Sequence, residues 1–360
     1  MSATFLLAHV SEAGPSSSLS LPNSPSLSTP STPNLANNDN VASSTTQQQQ
    51  GHKDAIWCSK WAKLDNSDSV VVTGSADHTV KLWNPINGSQ PQVTIRPPTS
   101  LGIVSLDVDK NLQGADYLVT SSLDSVISRF DMQGQPQGRK ELGPAGGEGK
   151  VKVMSAEADE QFGQSLLDLE ATGNFGSCVQ YSQSGKLLAV ASDTGYITLF
   201  DSETGQLVST FPAHSSPIRS VAFTSSLLIT GSDDKRINVF DMRAITSATS
   251  ASGSIGNRRG QVASLGGHEG WVTCVEARND RLLASGSADG TIKLFDLASP
   301  GAALNTLRDH TGDVWTLSWA PETTGSNTVE GIGGASAALS GGQFISGGED
   351  GKLRWWRGGG

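Results

Sequence analysis

Histidine, aspartate and a hydroxyl residue recur together along this chain. His52, His214, His268 and His310 are followed by Asp77, Asp234, Asp289 and Asp350, with Ser or Thr close by each time. An aspartate that orients a histidine, which takes a proton from a serine, is the machinery of a covalent hydrolase. Recurrence argues against that chemistry here. An active site is built once, whereas this trio returns several times, always beside strand signals. The sequence contains no GxSxG elbow, Walker loop, HExxH helix or paired metal-ligand spacing. The expectation is therefore a structural trio, with no catalytic residue, no metal and no cofactor.

The elements that must position these residues are strands. "SVVVTGSADHTVKLWN", "LLITGSDDKRINVFD" and "LLASGSADGTIKLFD" share one plan. Each has an apolar strand, a Gly-Ser turn containing Asp, an alternating strand and a closing aromatic. Alternation with period two marks half-buried strands, and Asp in a turn bonds the neighbouring backbone. The closing aromatics are Trp83, Phe130, Phe200, Phe240, Phe295 and Trp356. The turn acid lies six residues earlier at Asp77, Asp124, Asp234, Asp289 and Asp350, while Thr194 holds that slot before Phe200. The four histidines open their repeats, each four residues ahead of Ile56, Ile218, Val272 or Val314.

A His, a turn Asp and a closing Trp recurring at about 40–45 residues form the WD-repeat signature, one four-stranded β-propeller blade per repeat. The expected fold is all-β: a WD40 propeller of seven blades with the third eroded or incomplete. Phe130 and Phe200 are 70 residues apart, of which a full blade takes about 40. The remainder holds one good strand, 150–157. It reads as a blade that has lost half its strands or as a gap in the gene model. Only the first set (His52, Asp77, Trp83) and the last (His310, Asp350, Trp356) keep a Trp, whose indole N–H Phe lacks. These two meet where the ring closes, so the fuller networks either reinforce that seam or reflect drift.

The last blade runs out after "KLRWWR". An unpaired strand edge is a liability, and residues 4–10, "TFLLAHV", can supply the missing outer strand; a frayed N-terminus is the alternative. Domain organisation follows: an N-terminal strand in 1–10, a linker in 11–50 and the propeller in 51–360. The linker is dominated by Ser, Thr, Pro, Asn and Gln and has no Lys, Arg or aromatic residue. It cannot offset its chain entropy by burial and is expected to be disordered. Ser24-Pro25, Thr29-Pro30 and Thr32-Pro33 are either proline-directed phosphosites or incidental composition. Residues 243–261 and 321–343 read as Gly/Ser/Thr-rich surface loops.

Composition narrows the function. Twenty-five basic against 35 acidic residues give a net charge of −10, which opposes general binding to nucleic acid or anionic membrane. Cys58, Cys178 and Cys274 are far apart, so no disulfide framework is expected. No apolar run approaches the ~20 residues of a membrane span, and "MSATFLLAHVSEAG" lacks a basic signal-peptide region. A soluble intracellular protein is the expectation.

A propeller presents two rims to partners. On the His-loop rim the exposed positions flank the β-branched residue or precede the turn acid. They include Trp57, Phe175, Arg219, Asp233, Trp271, Asp313, Trp315 and Glu349, although Trp57 and Trp315 alternate with core positions. Trp and Arg are enriched at binding hot spots. The expected ligand is a short peptide with an apolar or aromatic anchor and a basic residue, matched to these rings and acids.

The stretch "GHKDAIWCSKWAKLDNSDSVVVTGSADHTVKLWN", with "AHSSPIRSVAF", "GHEGWVTCV" and "DHTGDVWTLSWAP" in that order, resembles the WD-repeat subunit of the superkiller (Ski) complex, fungal type. The resemblance covers most of 51–360 and departs from the family at the third blade and the long linker. It implies a non-enzymatic scaffold joining an RNA helicase and a tetratricopeptide scaffold for exosome-mediated 3′–5′ mRNA decay. In fungi it also implies binding to the meiotic double-strand-break transesterase, and in animals a role in an RNA polymerase II elongation complex. Cytoplasm and nucleus follow from the same resemblance, as does partner docking on the His-loop rim; no direct nucleic-acid or membrane contact is expected, as the net charge already indicates. The competing reading is another WD adaptor, such as a histone-tail reader or a ubiquitin-ligase substrate receptor; a methyl-lysine reader would want an aromatic cage around an acid.

Overall fold

The computed structural model describes residues 5–11, 51–64, 69–86, 90–110, 116–141, 150–154, 162, 164–173, 176–246, 260–321 and 342–358. The linker 12–50, Phe175 and most of the two long loops lie outside these residues.

β1 (Phe5–Ser11) precedes blade one, which holds β2 (Ile56–Lys63), β3 (Ser69–Ser75), β4 (Val80–Trp83) and β5 (Pro91–Ile95). Blade two holds β6 (Ile103–Lys110), β7 (Asp116–Ser122), β8 (Val126–Asp131) and β9 (Pro136–Glu141). A two-stranded ribbon follows, β10 (Lys150–Met154) with β11 (Ser165–Glu170). Blade three is β12 (Gly176–Tyr181), β13 (Leu187–Ser192), β14 (Tyr196–Asp201) and β15 (Leu207–Pro212). Blade four is β16 (Ile218–Phe223), β17 (Leu227–Ser232), β18 (Ile237–Asp241) and β19 (Gln261–Leu265), with the short helix α1 (Met242–Thr246) before β19. Blade five is β20 (Val272–Ala277), β21 (Leu282–Ser287), β22 (Ile292–Asp296) and β23 (Asn305–Leu307). Blade six is β24 (Val314–Trp319), β25 (Gln343–Gly348) and β26 (Leu353–Gly358), with β1 as its outer strand.

The inner strands pack in the order β12, β16, β20, β24, β2, β6, so blade six meets blade one. Each blade's central strands are apolar on both faces because both are covered. Val71 and Val72 are fully buried on opposite faces of β3: Val72 joins the cluster shared with blade two, Val71 the cluster shared with blade six. The seams between blades three and four, four and five, and five and six are built alike, for example Phe240 of blade four against Phe211 of blade three, ring centroids 5.1 Å apart.

The expected seven blades are six among the described residues. The segment read as an eroded third blade is only the β10–β11 ribbon, paired antiparallel from Lys150↔Glu170 to Met154↔Ser165. The physical reason is in the sequence: between Glu141 and Gly176 there is no His loop, turn acid with closing aromatic, or strand sequence for more than two strands. The ribbon covers apolar surface next to it. Leu169 is buried with Leu188, Val190 and Phe200 of blade three, and Phe162 lies against Gly138 of β9. β1 pairs with β26 antiparallel, from Phe5↔Gly358 to Ser11↔Leu353, with an irregularity between Leu7 and His9.

Candidate partner-binding rim

Each His loop is tied down by its trio. His52 Nδ1 lies 3.1 Å from Asp77 Oδ2, and its Nε2 lies 2.7 Å from Thr73 Oγ1 on β3. His214 spans Asp234 (2.9 Å) and Thr230 (2.8 Å), and His268 spans Asp289 (3.0 Å) and Ser285 (2.8 Å). His310 spans Asp350 (3.1 Å) and Ser346 (2.7 Å). In blades one and six the indole completes a tetrad. Trp83 Nε1–H donates to Thr73 Oγ1 and Trp356 Nε1–H to Ser346 Oγ, both at 2.8 Å. Those two blades adjoin at the closure. Blade two has no histidine, yet Asp124 still accepts from the Ser100 backbone N–H at 2.8 Å, the same loop-to-acid bond that Lys53 N–H makes to Asp77.

Asp–His–Ser in blades five and six has the connectivity of a hydrolase triad, but its hydroxyl is out of reach. Ser285 and Ser346 have no exposed surface, and Ser346 Oγ also accepts the Trp356 indole. A nucleophile must meet its substrate's carbonyl, and these cannot. Electrostatics fits a clamp. Burial alone would raise Asp77, but hydrogen bonds from His52, Thr79 and the Lys53 backbone outweigh it and hold the carboxyl well below its usual range. Asp234, Asp289 and Asp350 are lowered in the same balance. Burial pushes His52 and His310 down, against the pull of their aspartates.

The rim side chains are aimed by a feature absent from the sequence signature. In all six inner strands the pairing skips one residue immediately after the rim-side start. The skipped residues are Trp57, Val104, Ser177, Arg219, Thr273 and Trp315. A bulge of this kind redirects one side chain out of the regular alternation. Small bulge residues turn to the neighbouring blade: Ser177 Oγ–H donates to Ile218 O, and Thr273 Oγ1–H to Val314 O. Larger ones shape the rim. The Trp57 ring lies on the backbone of Gly102, where a Cβ would come within 2.4 Å of Cζ3. Only glycine fits under that ring, so blades one and two share it.

Arg219 is the centre of a second group. Its Nε–H and Nη2–H donate to Asp233 Oδ1 and Oδ2 at 2.8 and 2.7 Å, a bidentate pair. Its guanidinium carbon is 5.7 Å from the ring centroid of Trp271, which is 49% exposed. The hydrogen bonds to Asp233 raise the Arg219 pKa further. Three elements converge here: the β16 bulge, the β17–β18 turn and the loop before β20. Blade six adds acid. Exposed Glu349 takes its backbone N–H to Asp313 O at 2.8 Å, while its Oε2 accepts from Asp313 N–H at 3.3 Å. Burial, then Glu349 and Asp289, raises the Asp313 carboxyl. Trp57 and Trp315 are partly buried rather than freely exposed.

The same rim also has an apolar part. Leu101 (44% exposed), Val104 and Leu123 (56%) stand on blade two beside the Trp57 ring, with Leu123 N–H bonded to Gly102 O. Two of these follow the positional rules that mark this rim in the sequence: Leu123 precedes turn acid Asp124, and Val104 follows β-branched Ile103.

With this geometry in place, the chain is a WD-repeat β-propeller protein. Residues 43–84 match the WD domain, G-beta repeat model, and residues 169–329 match the model described as Nucleolar protein 10-like, N-terminal domain. The chain is 29% identical over 217 residues to WD repeat-containing protein SL1-17 of Schistosoma mansoni, covering 54% of this chain and 69% of that one. It is 34% identical over 97 residues to meiotic recombination protein rec14 of Schizosaccharomyces pombe, covering 26% and 31%. It is 27% identical over 205 residues to WD repeat-containing protein VIP3 of Arabidopsis thaliana, covering 49% and 62%. The chain thus spans under two thirds of the yeast and plant relatives, and none of these names denotes an enzyme.

Proposed function

We propose that this chain is a non-enzymatic scaffold, the WD-repeat subunit of a superkiller-type complex that supports cytoplasmic exosome-mediated 3′–5′ mRNA decay. A second role in meiotic double-strand-break formation goes with it. Its partners are a tetratricopeptide scaffold and an RNA helicase, with the meiotic transesterase as a further ligand. It works in cytoplasm and nucleus without touching nucleic acid or membrane itself.

The observation that carries the reading is the Arg219–Asp233 pair lying beside half-exposed Trp271, with Asp313 and Glu349 on the same rim. A ring, a fixed guanidinium and neighbouring carboxylates suit a peptide with an aromatic or apolar anchor and a basic residue. Similarity to a meiotic recombination protein supports the meiotic arm, and the order of the His-loop sequences supports the complex. A histidine that spends both nitrogens on a loop clamp has none left for catalysis, which supports the non-enzymatic role.

The test is affinity purification of the tagged chain at native expression level, beside Trp271→Ala and Trp315→Ala, read by mass spectrometry. The proposal expects a superkiller helicase and its tetratricopeptide scaffold with the parent, and their loss from folded variants. Their absence from the parent removes the superkiller assignment and leaves the adaptor reading. Binding of methylated histone-tail peptides by the parent would favour a reader.

A further inference from the structure

The rim opposite the His loops carries a cavity of about 670 Å³. It is placed by strand direction. Inner strands start at the His loops, so Trp61 near the end of β2, Arg278 just after β20, and Arg357 near the end of β26 all sit at the far rim. Pro85 and Ile86, after β4, border it on blade one. Its floor is apolar, with Trp61, Val70 and Leu82 buried. Ile86 at its lip is 88% exposed.

Two features give the cavity a chemical preference. The first is charge: Arg278 and Arg357 line it, and none of its described lining residues is Asp or Glu. No described carboxylate pairs with either guanidinium, in a chain whose net charge is −10. The second is an excess of donors. Trp61 is 6% exposed and its Nε1–H meets no acceptor among the described residues. Arg278 Nη1, pressed over the Gly342 backbone beside Trp319, meets none either. Buried donors and partly buried cations without acceptors are costly, and an arriving anion relieves that cost.

We infer that this cavity is a second docking site, for an extended acidic segment of a partner protein that carries a carboxylate beside a large apolar side chain. The apolar group fills the floor between Trp61, Val70 and Leu82. The carboxylate meets Arg278 and Arg357. A protein segment fits better than a small anion, because Ile86 stands on the lip, where a ligand confined to the cavity leaves it bare. The site is independent of the His-loop rim, so the propeller holds two partners on opposite faces.

The test uses the full chain on an array of decapeptides combining Asp or Glu with Leu, Ile, Phe or Trp, beside matched peptides with Asn or Gln. Hits are titrated by fluorescence polarisation. The expected result is saturable binding of acidic peptides only. Arg357→Gln and Ile86→Asp, both at exposed positions, and Arg278→Gln should each weaken binding at least about fivefold, or roughly 1 kcal/mol. Trp271→Ala should leave it unchanged. Equal binding of acidic and amide peptides, no saturable binding, or indifference to all three substitutions overturns the inference. Full displacement by millimolar inorganic phosphate also overturns it, since the site would then hold a free anion. Failure here leaves the His-loop proposal standing, because Trp271→Ala reads the two sites separately.

Discussion

Trp356 closes the network His310–Ser346 with an indole donor, and Trp83 does the same for His52–Thr73. Removing one buried hydrogen bond costs about 1 kcal/mol. Trp356→Phe is therefore expected to lower unfolding free energy by about that amount, measured by urea denaturation, with no change in m-value. A second residue, Glu276 near the end of the inner strand β20, tests electrostatics. Its Oε2 is sealed and unbonded among the described residues, and burial raises its carboxyl from 4.5 to about 8 against the pull of Lys60. The folded state thus holds a proton that the unfolded chain releases near 4.5. Stability from this group is full at acid pH and is lost as pH rises toward 8. Glu276→Gln keeps the neutral form at every pH, so its melting temperature should draw ahead of the parent's between pH 5 and 9. A gap that stays constant would contradict a raised carboxyl. At this scale the trios were legible because His, Asp and closing aromatic keep fixed offsets. The bulges were not, since Trp57, Val104, Ser177, Arg219, Thr273 and Trp315 share no residue type; what they share is a place in strand pairing.

At the scale of elements, β1 is the unusual strand. It is joined to β26 across the whole chain, with Leu7 opposite Trp356 and Val10 opposite Arg354. Without it the outer edge of blade six exposes its backbone donors and acceptors, a template for pairing with another chain. Deleting residues 1–11 should lower the melting temperature and produce concentration-dependent self-association in light scattering; a monomer of unchanged stability would contradict this. Strands with full repeats were legible in the sequence because alternation, turn acid and aromatic agree with each other. The ribbon β10–β11 was legible only in part. "KVKVM" alternates, but "SLLDLE" has no turn acid or closing aromatic after it to mark a strand. Its placement depends on contacts with Leu188, Val190 and Phe200 of the next blade, which no local pattern in the ribbon itself announces.

The described residues form six blades and a ribbon, with two chemically different faces. One face shows Arg219, Trp271, Asp313 and Glu349 around clamped histidines; the other shows Arg278 and Arg357 around an apolar floor. Spacing alone does not give the blade count, because it measures chain length, and 70 residues accommodate one blade plus a ribbon as readily as two poor blades. The central claim is that the His-loop rim is the partner surface proposed for the scaffold. The most direct measurement is hydrogen–deuterium exchange of the purified chain with and without the partner that co-purifies with it. The account expects protection at the loops around Trp57, Arg219, Trp271 and Trp315 and at the turns around Asp233 and Glu349. The outer strands β9, β15 and β19 should stay unchanged. Protection confined to those outer strands, with the His loops exchanging as in the free chain, would contradict it.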